Sequence, residues 1–550
     1  MTPQIERSTF RRATSSVSLR LTSQGELAGF RLIYCAMGLL AVALMAIGFI
    51  STTFARKATP PQGKLPQLSA PALAGSLAAT VPRTPGNDKP VMKFGGKIVI
   101  EPGRTASISD PIAGQLLAAA DFDNDGMPDL VCLQSGSFPS SKRLVMRFGN
   151  VDAIHPNADG ARLRKANDTF TGLPFLSLAK NWTVPLSSKV VFVGAGDFDA
   201  DGNSDVVITG QGEEQFLFLR GDGSGNLADP EKISIDGRVT AFATGEVNRY
   251  DGLMDIVVGA ETKNGPKVLV FECPKGALRG MPEVIDITNA PTAIAIGQLD
   301  QEFPIDVAVA NGSDLTIIWG RDRKLSLAPE IRTAVLPAIQ KTVHQDAKLI
   351  SVVIGAFDGD KVSDGIAISD EAGKVQVWGS INDEHRAEWR LPSSVVSGLS
   401  AIRLAAGRVT SLPQDSVLVN DTGTKQIQVL TLTGPEGSKF LEVQRMGGTN
   451  AAATVLPMKL NVDGLEDVLF ASSANNEVAS FLTLPGQVYF VSSIEGDNGN
   501  GTLPSAVAAA NANPGLDTIV FNIPTNNGRA VIKIQTTLTI TDPVVIDGTT

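Results

Sequence analysis

The chain has 550 residues, 57 acidic and 47 basic side chains, and a formal net charge of −10. That length exceeds one hydrophobic core, a 43% hydrophobic share excludes wholesale disorder, and the negative charge excludes nucleic acid as a main partner. Fifty-four glycines against four Trp and three Tyr suit many tight turns between short strands.

Residues 1–31 form a basic N-terminal region with Arg11, Arg12, Arg20 and Arg31. An uncharged apolar stretch follows at 32–50, the pattern of a signal-peptide core or a single-span membrane anchor. Small residues at Thr53 and Ala55 suit cleavage, whereas the length suits a retained span, so both alternatives stand. Either one sends the rest of the chain out of the cytoplasm, to a secreted, periplasmic or cell-surface location. Residues 51–93 are rich in Pro and Ala and lack apolar periodicity, which predicts an extended tether.

From 94 to 485 one unit recurs seven times: a small-residue apolar strand, an acidic loop, an Asp and a second apolar strand. LLAAADFDNDGMPDLVCL and VVFVGAGDFDADGNSDVVIT are the clearest copies. The Asp expected to open the second strand falls at Asp129, Asp205, Asp255, Asp306, Asp364, Asp415 and Asp467. A third strand ends at Gly149, Gly320 and Gly379, and a weaker fourth fills each period of about fifty residues. The expected fold class is therefore all-β, a seven-bladed β-propeller, since ring closure protects sheet edges better than an open solenoid does. Small first strands suit the crowded axis. Val151–Pro185 lengthens the first unit and is expected as a long loop or a protruding contact surface.

These units resemble the FG-GAP/VCBS repeats of integrin α-subunit propellers and of many bacterial exported proteins. The first loop reads Asp121-x-Asp123-x-Asp125-Gly126-x-x-Asp129 and the second Asp197-x-Asp199-x-Asp201-Gly202-x-x-Asp205. Alternating carboxylates place hard oxygens around a tight turn, as Ca²⁺ requires, with the Met127 and Asn203 carbonyls as further expected ligands. An EF-hand is excluded, because its bidentate Glu would fall on Cys132 or Ile208 and both flanks read as strand. Partial sets remain at Asp300, Glu302 and Asp306 in the fourth unit and at Asp358, Asp360 and Asp364 in the fifth. In the seventh, the Lys459 ammonium is expected where a cation would sit.

Residues 486–550 resemble the start of a bacterial right-handed parallel β-helix, through Gly501-Thr502-Leu503, Ala506, Asn511, Pro514, Asp517-Thr518-Ile519 and Phe521. Such a domain needs several coils to bury its interior, so this part is expected to be the opening of a longer one. Cys35 lies in the export segment, while Cys132 and Cys273 read as small buried hydrophobes. With His155, His344 and His385 scattered, no catalytic constellation forms. The expected function is an exported, calcium-binding, non-catalytic adhesion or scaffold module with a protein or glycan ligand at the cell surface. A carbohydrate-active enzyme, with catalytic residues in the β-helix, is the alternative. Trp182, Trp319, Trp378 and Trp389 are few for sugar stacking, and Arg220-Gly221-Asp222 reads as a chance tripeptide in a turn.

Overall fold

The structure, a computed structural model, describes residues 94–103, 113–136, 141–156, 158–325, 328–332, 336–357, 364–378, 386–390, 402–410, 412, 414–421, 423–433, 439–449, 452–472, 474–484, 486–513, 517–524, 530–535, 537–541 and 544–548. All of them belong to the unit Pro85–Thr550. The expected export segment at 32–50 and the linker at 51–93 lie outside the described residues. No helix among the described residues is long and apolar enough to cross a membrane.

Seven sheets form the blades of a β-propeller, all antiparallel except that Ala113–Gln115 adds in parallel to the inner edge of the second. The first orders Leu117–Ala120, Asp129–Ser135, Lys142–Gly149 and Phe175–Val184 as inner to outer strands. The next five repeat that order over 190–234, 238–286, 291–344, 349–390 and 402–447. Alternation is weak in the second strands because neighbouring blades cover both of their faces. Every residue of Asp129–Ser135, Asp205–Gly210, Asp306–Asn311 and Asp467–Ser472 is buried. Apolar layers accordingly lie between sheets: Phe216, Ile256 and Phe271 join the second and third blades, and Val257, Val307 and Ile318 the third and fourth.

Small residues on the inner strands have a steric cause. A Cβ on Gly194 would lie 2.4 Å from Thr244 Cγ2, and one on Gly297 would lie 2.4 Å from Ile354 Cγ2. Neighbouring inner strands approach too closely for a side chain there.

The ring closes in a way the repeat pattern did not reveal. The seventh blade takes only Ala452–Met458, Asp467–Ser472 and Val478–Thr483 from its own repeat. Its outer strand is Phe94–Glu101, antiparallel to Val478–Thr483, so the start of the propeller sequence completes its last blade. At the seam, Thr454 Oγ1 accepts the Leu116 N–H at 2.8 Å and donates to the Gly114 carbonyl at 2.6 Å. Asn476 Oδ1 accepts the Ser135 N–H at 3.1 Å, and Arg147 pairs with buried Glu101 at 2.5 Å.

A second tie runs between blades. The Asp364 N–H donates to the Gln298 carbonyl at 2.6 Å, and its carboxylate accepts the Gln298 N–H at 3.0 Å. Asp415 makes the same reciprocal pair with Ala356 (2.8 and 2.9 Å), and Glu466 with Arg408 (2.9 and 2.8 Å). The expectation that Asp364 and Asp415 open second strands is corrected here. Gly355 pairs with Gly365 and Gly407 with Ser416, so both acids stand one residue ahead and face the preceding blade.

Val151–Pro185 is not one long loop: it folds as helices Val151–Ile154 and Asp159–Ala166 followed by the outer strand of the first blade. Beyond the ring, Val488–Val491, Asp517–Phe521 and Val544–Asp547 pair in parallel. The helix Leu503–Ala512 is capped by the Thr502 side chain, which accepts the Ser505 N–H. This piece packs on the seventh blade, where a Cβ on Gly464 would lie 2.4 Å from Val545 Cγ2.

Thr454→Val keeps the shape at the seam and leaves a buried N–H and C=O unpaired. Urea unfolding should show a loss of about 2–4 kcal/mol at unchanged slope. The inter-blade tie needs an acceptor and not a charge. Asp415→Ala should therefore cost about 1–2 kcal/mol, and Asp415→Asn less than half of that by the same measurement.

Candidate metal centre

The first acidic loop leaves the inner strand at Ala120 and re-enters the blade at Asp129, two residues that pair across the ladder. Asp121 folds the turn by accepting N–H bonds from Asp125 (3.2 Å) and Gly126 (2.9 Å). Gly126 adopts φ 88°, a conformation glycine enters without strain. Asp125 Oδ1 accepts the Met127 N–H at 2.8 Å, and the Met127 side chain is buried. Asp129 accepts the Phe122 N–H at 2.9 Å and the Gly149 N–H at 2.8 Å, joining loop, second strand and third strand.

The second loop repeats this construction. Asp197 Oδ1 accepts from Ala200 at 2.7 Å and its Oδ2 from Gly202 at 2.9 Å. Asp201 accepts the Asn203 N–H at 2.9 Å. Asp205 accepts from Phe198 at 3.1 Å and from Gly221 at 2.8 Å.

Among the described residues, two groups of carboxylates come together: Asp121, Asp123 and Asp129, and Asp197, Asp199 and Asp205, each with ligand oxygens within 4.8 Å of one another. Asp125 and Asp201 stand beside them as turn acceptors. Asp123 Oδ1 and Asp199 Oδ1 are buried without a hydrogen-bond partner. Desolvation pushes the Asp129 carboxyl up to about 6; its two backbone bonds oppose this, and the charges of Asp123 and Asp125 add to it. The same causes push Asp205 up to about 7, with Asp199 and Asp201 as the repelling charges. A hard divalent cation would relieve the repulsion and fill the free valences, so the donor set fits one.

The loops differ in one respect that the motif did not disclose. Asp199 Oδ2 is gripped by Arg220 at 2.5 Å and Arg279 at 3.1 Å, whereas Phe148 stands in the first blade at the place of Arg220. Arg220 belongs to the RGD tripeptide, and its guanidinium is engaged by an ion pair within the protein. The tripeptide's Asp222 accepts from the Asn226 side chain at 2.8 Å and from the backbone N–H groups of Ser224 and Asn226 (2.8 and 3.1 Å), which hold the carboxyl well below the usual range.

In the other loops the acids turn elsewhere. Asp300 caps the Glu302 N–H at 2.8 Å, and Asp306 accepts from Leu299 and Gly320 at 2.8 and 2.7 Å. Gln298, in the place of Asp121, gives its N–H to Asp364. Asp358 and Asp360 lie outside the described residues. In the third blade Asn248 donates to buried Glu272 at 2.8 Å, which also pairs with Arg249 and Arg323, both at 3.1 Å. In the seventh, Lys459 is exposed and does not sit between the acids. Thr483 does instead, with Oγ1 at 3.0 Å from Asp463 Oδ2 and 2.9 Å from Asp467 Oδ1. Trp378 is buried beside Leu299 and Leu349 with Trp319 packed on the same cluster, and neither forms a sugar platform.

A family model described as an FG-GAP-like repeat matches residues 197–258, from the second loop into the third blade. Two crystal structures of BBS1N in complex with ARL6DN resemble the chain at 12% identity, one soaked with mercury and one with lead. Their TM-scores are 0.45 and 0.47; each covers 72% of this chain, and 98% and 97% of its own. No curated protein matches. The chain therefore folds as a seven-bladed β-propeller that carries an FG-GAP-like repeat at residues 197–258.

Proposed function

We propose that the protein is an exported propeller, stabilised by Ca²⁺ in its first two loops, that serves as a non-catalytic recognition or adhesion module at the cell surface. The observation that carries this reading is the pair of carboxylate cages, each with a buried oxygen that no described residue satisfies. Bound Ca²⁺ would supply two positive charges and several coordination positions for hard oxygens. Asp121, Asp123 and Asp129 would hold it in the first blade, and Asp197, Asp199 and Asp205 in the second. The role is structural, since an ion that binds only the folded state stabilises that state. Export rests on the basic flank and apolar run at 32–50. For the C-terminal piece, the parallel ladder 488–491, 517–521 and 544–547, with the helix Leu503–Ala512 between its first two strands, supports the start of a β-helix. Recognition is supported by bulky side chains left exposed on connections of the third and fourth blades. Tyr250 is 79% exposed, Met281 88% and Phe303 90%.

Thermal melting with Ca²⁺ against chelator tests the cation. With a Kd of about 10⁻⁴ M, 10 mM Ca²⁺ adds about 2.7 kcal/mol per filled loop, a rise of a few degrees. Asp123→Asn should remove the first loop's share, and Glu302→Gln should leave the effect intact. Identical melting with and without Ca²⁺ would sink the proposal.

The third blade supplies a pH test of a loop that this reading leaves without a cation. Burial pushes the Asp255 carboxyl up to about 8, the Val247 N–H opposes this, and the Glu272 and Asp251 charges add to it. The folded state thus holds a proton that the unfolded chain, with its ordinary value near 3.8, releases. Stability from this group is full below pH 4 and is lost as pH rises toward 8. Asp255→Asn, which still offers an acceptor to Val247, should flatten the fall in melting temperature between pH 5 and 8.

A further inference from the structure

The first two loops are joined to each other. Asn124, between Asp123 and Asp125 at φ 56°, donates through Nδ2 to Asn203 Oδ1 (3.2 Å) and to the Gly223 carbonyl (3.3 Å). Asn203 lies in the second loop, where its own N–H is held by Asp201. Gly223 belongs to a tight turn, 221–226, wedged between the loops. A Cβ on Gly223 would lie 2.3 Å from Asn203 Oδ1 and 2.5 Å from Asn124 Nδ2. At one end of this turn the Gly221 N–H bonds Asp205 Oδ1 at 2.8 Å. At the other, the Gly225 N–H bonds the Phe122 carbonyl at 2.8 Å, and the Phe122 N–H bonds Asp129 Oδ2 at 2.9 Å. The closing carboxylates of both loops therefore pull on one turn, and Arg220 ties the same strand end to Asp199.

We infer that the two loops take up their divalent cations as a positively coupled pair, with the turn 221–226 and the Asn124–Asn203 bridge as the coupling element. This rests on the reading of both loops as cation sites. Two effects oppose each other. Filling one loop weakens the negative field at the other, but ionic screening over about 8–10 Å blunts this. Ordering one loop fixes Asn124, Phe122 and the turn, so the second cation meets a site whose ordering cost is already met. The bonds that hold the two ends of the turn, from the Gly221 and Gly225 N–H groups, are direct and 2.8 Å long, so ordering prevails.

The test is calcium titration calorimetry on the full chain, with amide hydrogen exchange at Gly221 and Gly225 as a second readout. In Asp121→Ala, where the first loop is disabled, the second loop should bind at least about fivefold more weakly than in the wild type, the low end of measured couplings. Asn124→Gly keeps the φ 56° backbone and removes the bridge. In that background, disabling the first loop should change second-loop affinity by less than about twofold, since little coupling would remain. In Asp197→Ala, Ca²⁺ at the first loop should still slow exchange at Gly221 across the turn. Equal second-loop affinity in the wild type and in Asp121→Ala, or negative coupling, overturns the inference and leaves the cation reading standing. Absence of calcium uptake by either loop overturns both.

Discussion

The fold turns on a carboxylate buried where the second strand begins, present in five of the seven blades. In the first, second, fourth and seventh blades it accepts one N–H from the loop seven residues back and one from the end of the third strand. Two bonds on one side chain fix where the loop folds, where the second strand starts and where the third stops. The price is a charge taken from water, which burial makes unfavourable. Each blade has to answer that, and the answers differ.

In the seventh blade a hydroxyl answers: Thr483 donates to Asp463 and Asp467 from between them. In the third blade a proton does, since Asp255 is pushed far above the ordinary carboxylate range. The fifth and sixth blades avoid the charge, with Gly365 and Ser416 at the paired position. Among the described residues, only the first and second blades bring three carboxylates together around oxygens without partners. Those are the loops in which a cation has something to do.

The position after five of the seven inner strands shows the same either-or logic. An Asp there, at 121 or 197, turns inward and folds its own loop. Where the residue is Gln298, Ala356 or Arg408, its N–H instead receives an acid from the next blade. An acid on both sides of that contact would set like charges against each other, so a blade joint takes one device or the other. One arc of the ring is thereby built around acidic cages and another around backbone ties.

The sequence by itself determined the blade count, the strand order, the small inner strands and the two complete carboxylate sets. Each follows from local chemistry: strand periodicity, steric demand near an axis, and Asp at every second position of a turn. Tertiary structure alone decided that Phe94–Glu101 completes the seventh blade, because pairing across the whole chain leaves no local trace. It alone put Thr483 rather than Lys459 between the seventh blade's acids, and two arginines from separate blades on Asp199. The one-residue offset of Asp364 and Asp415 has the same origin. A motif fixes the order of residues, but only the ladder register fixes which blade a carboxylate faces.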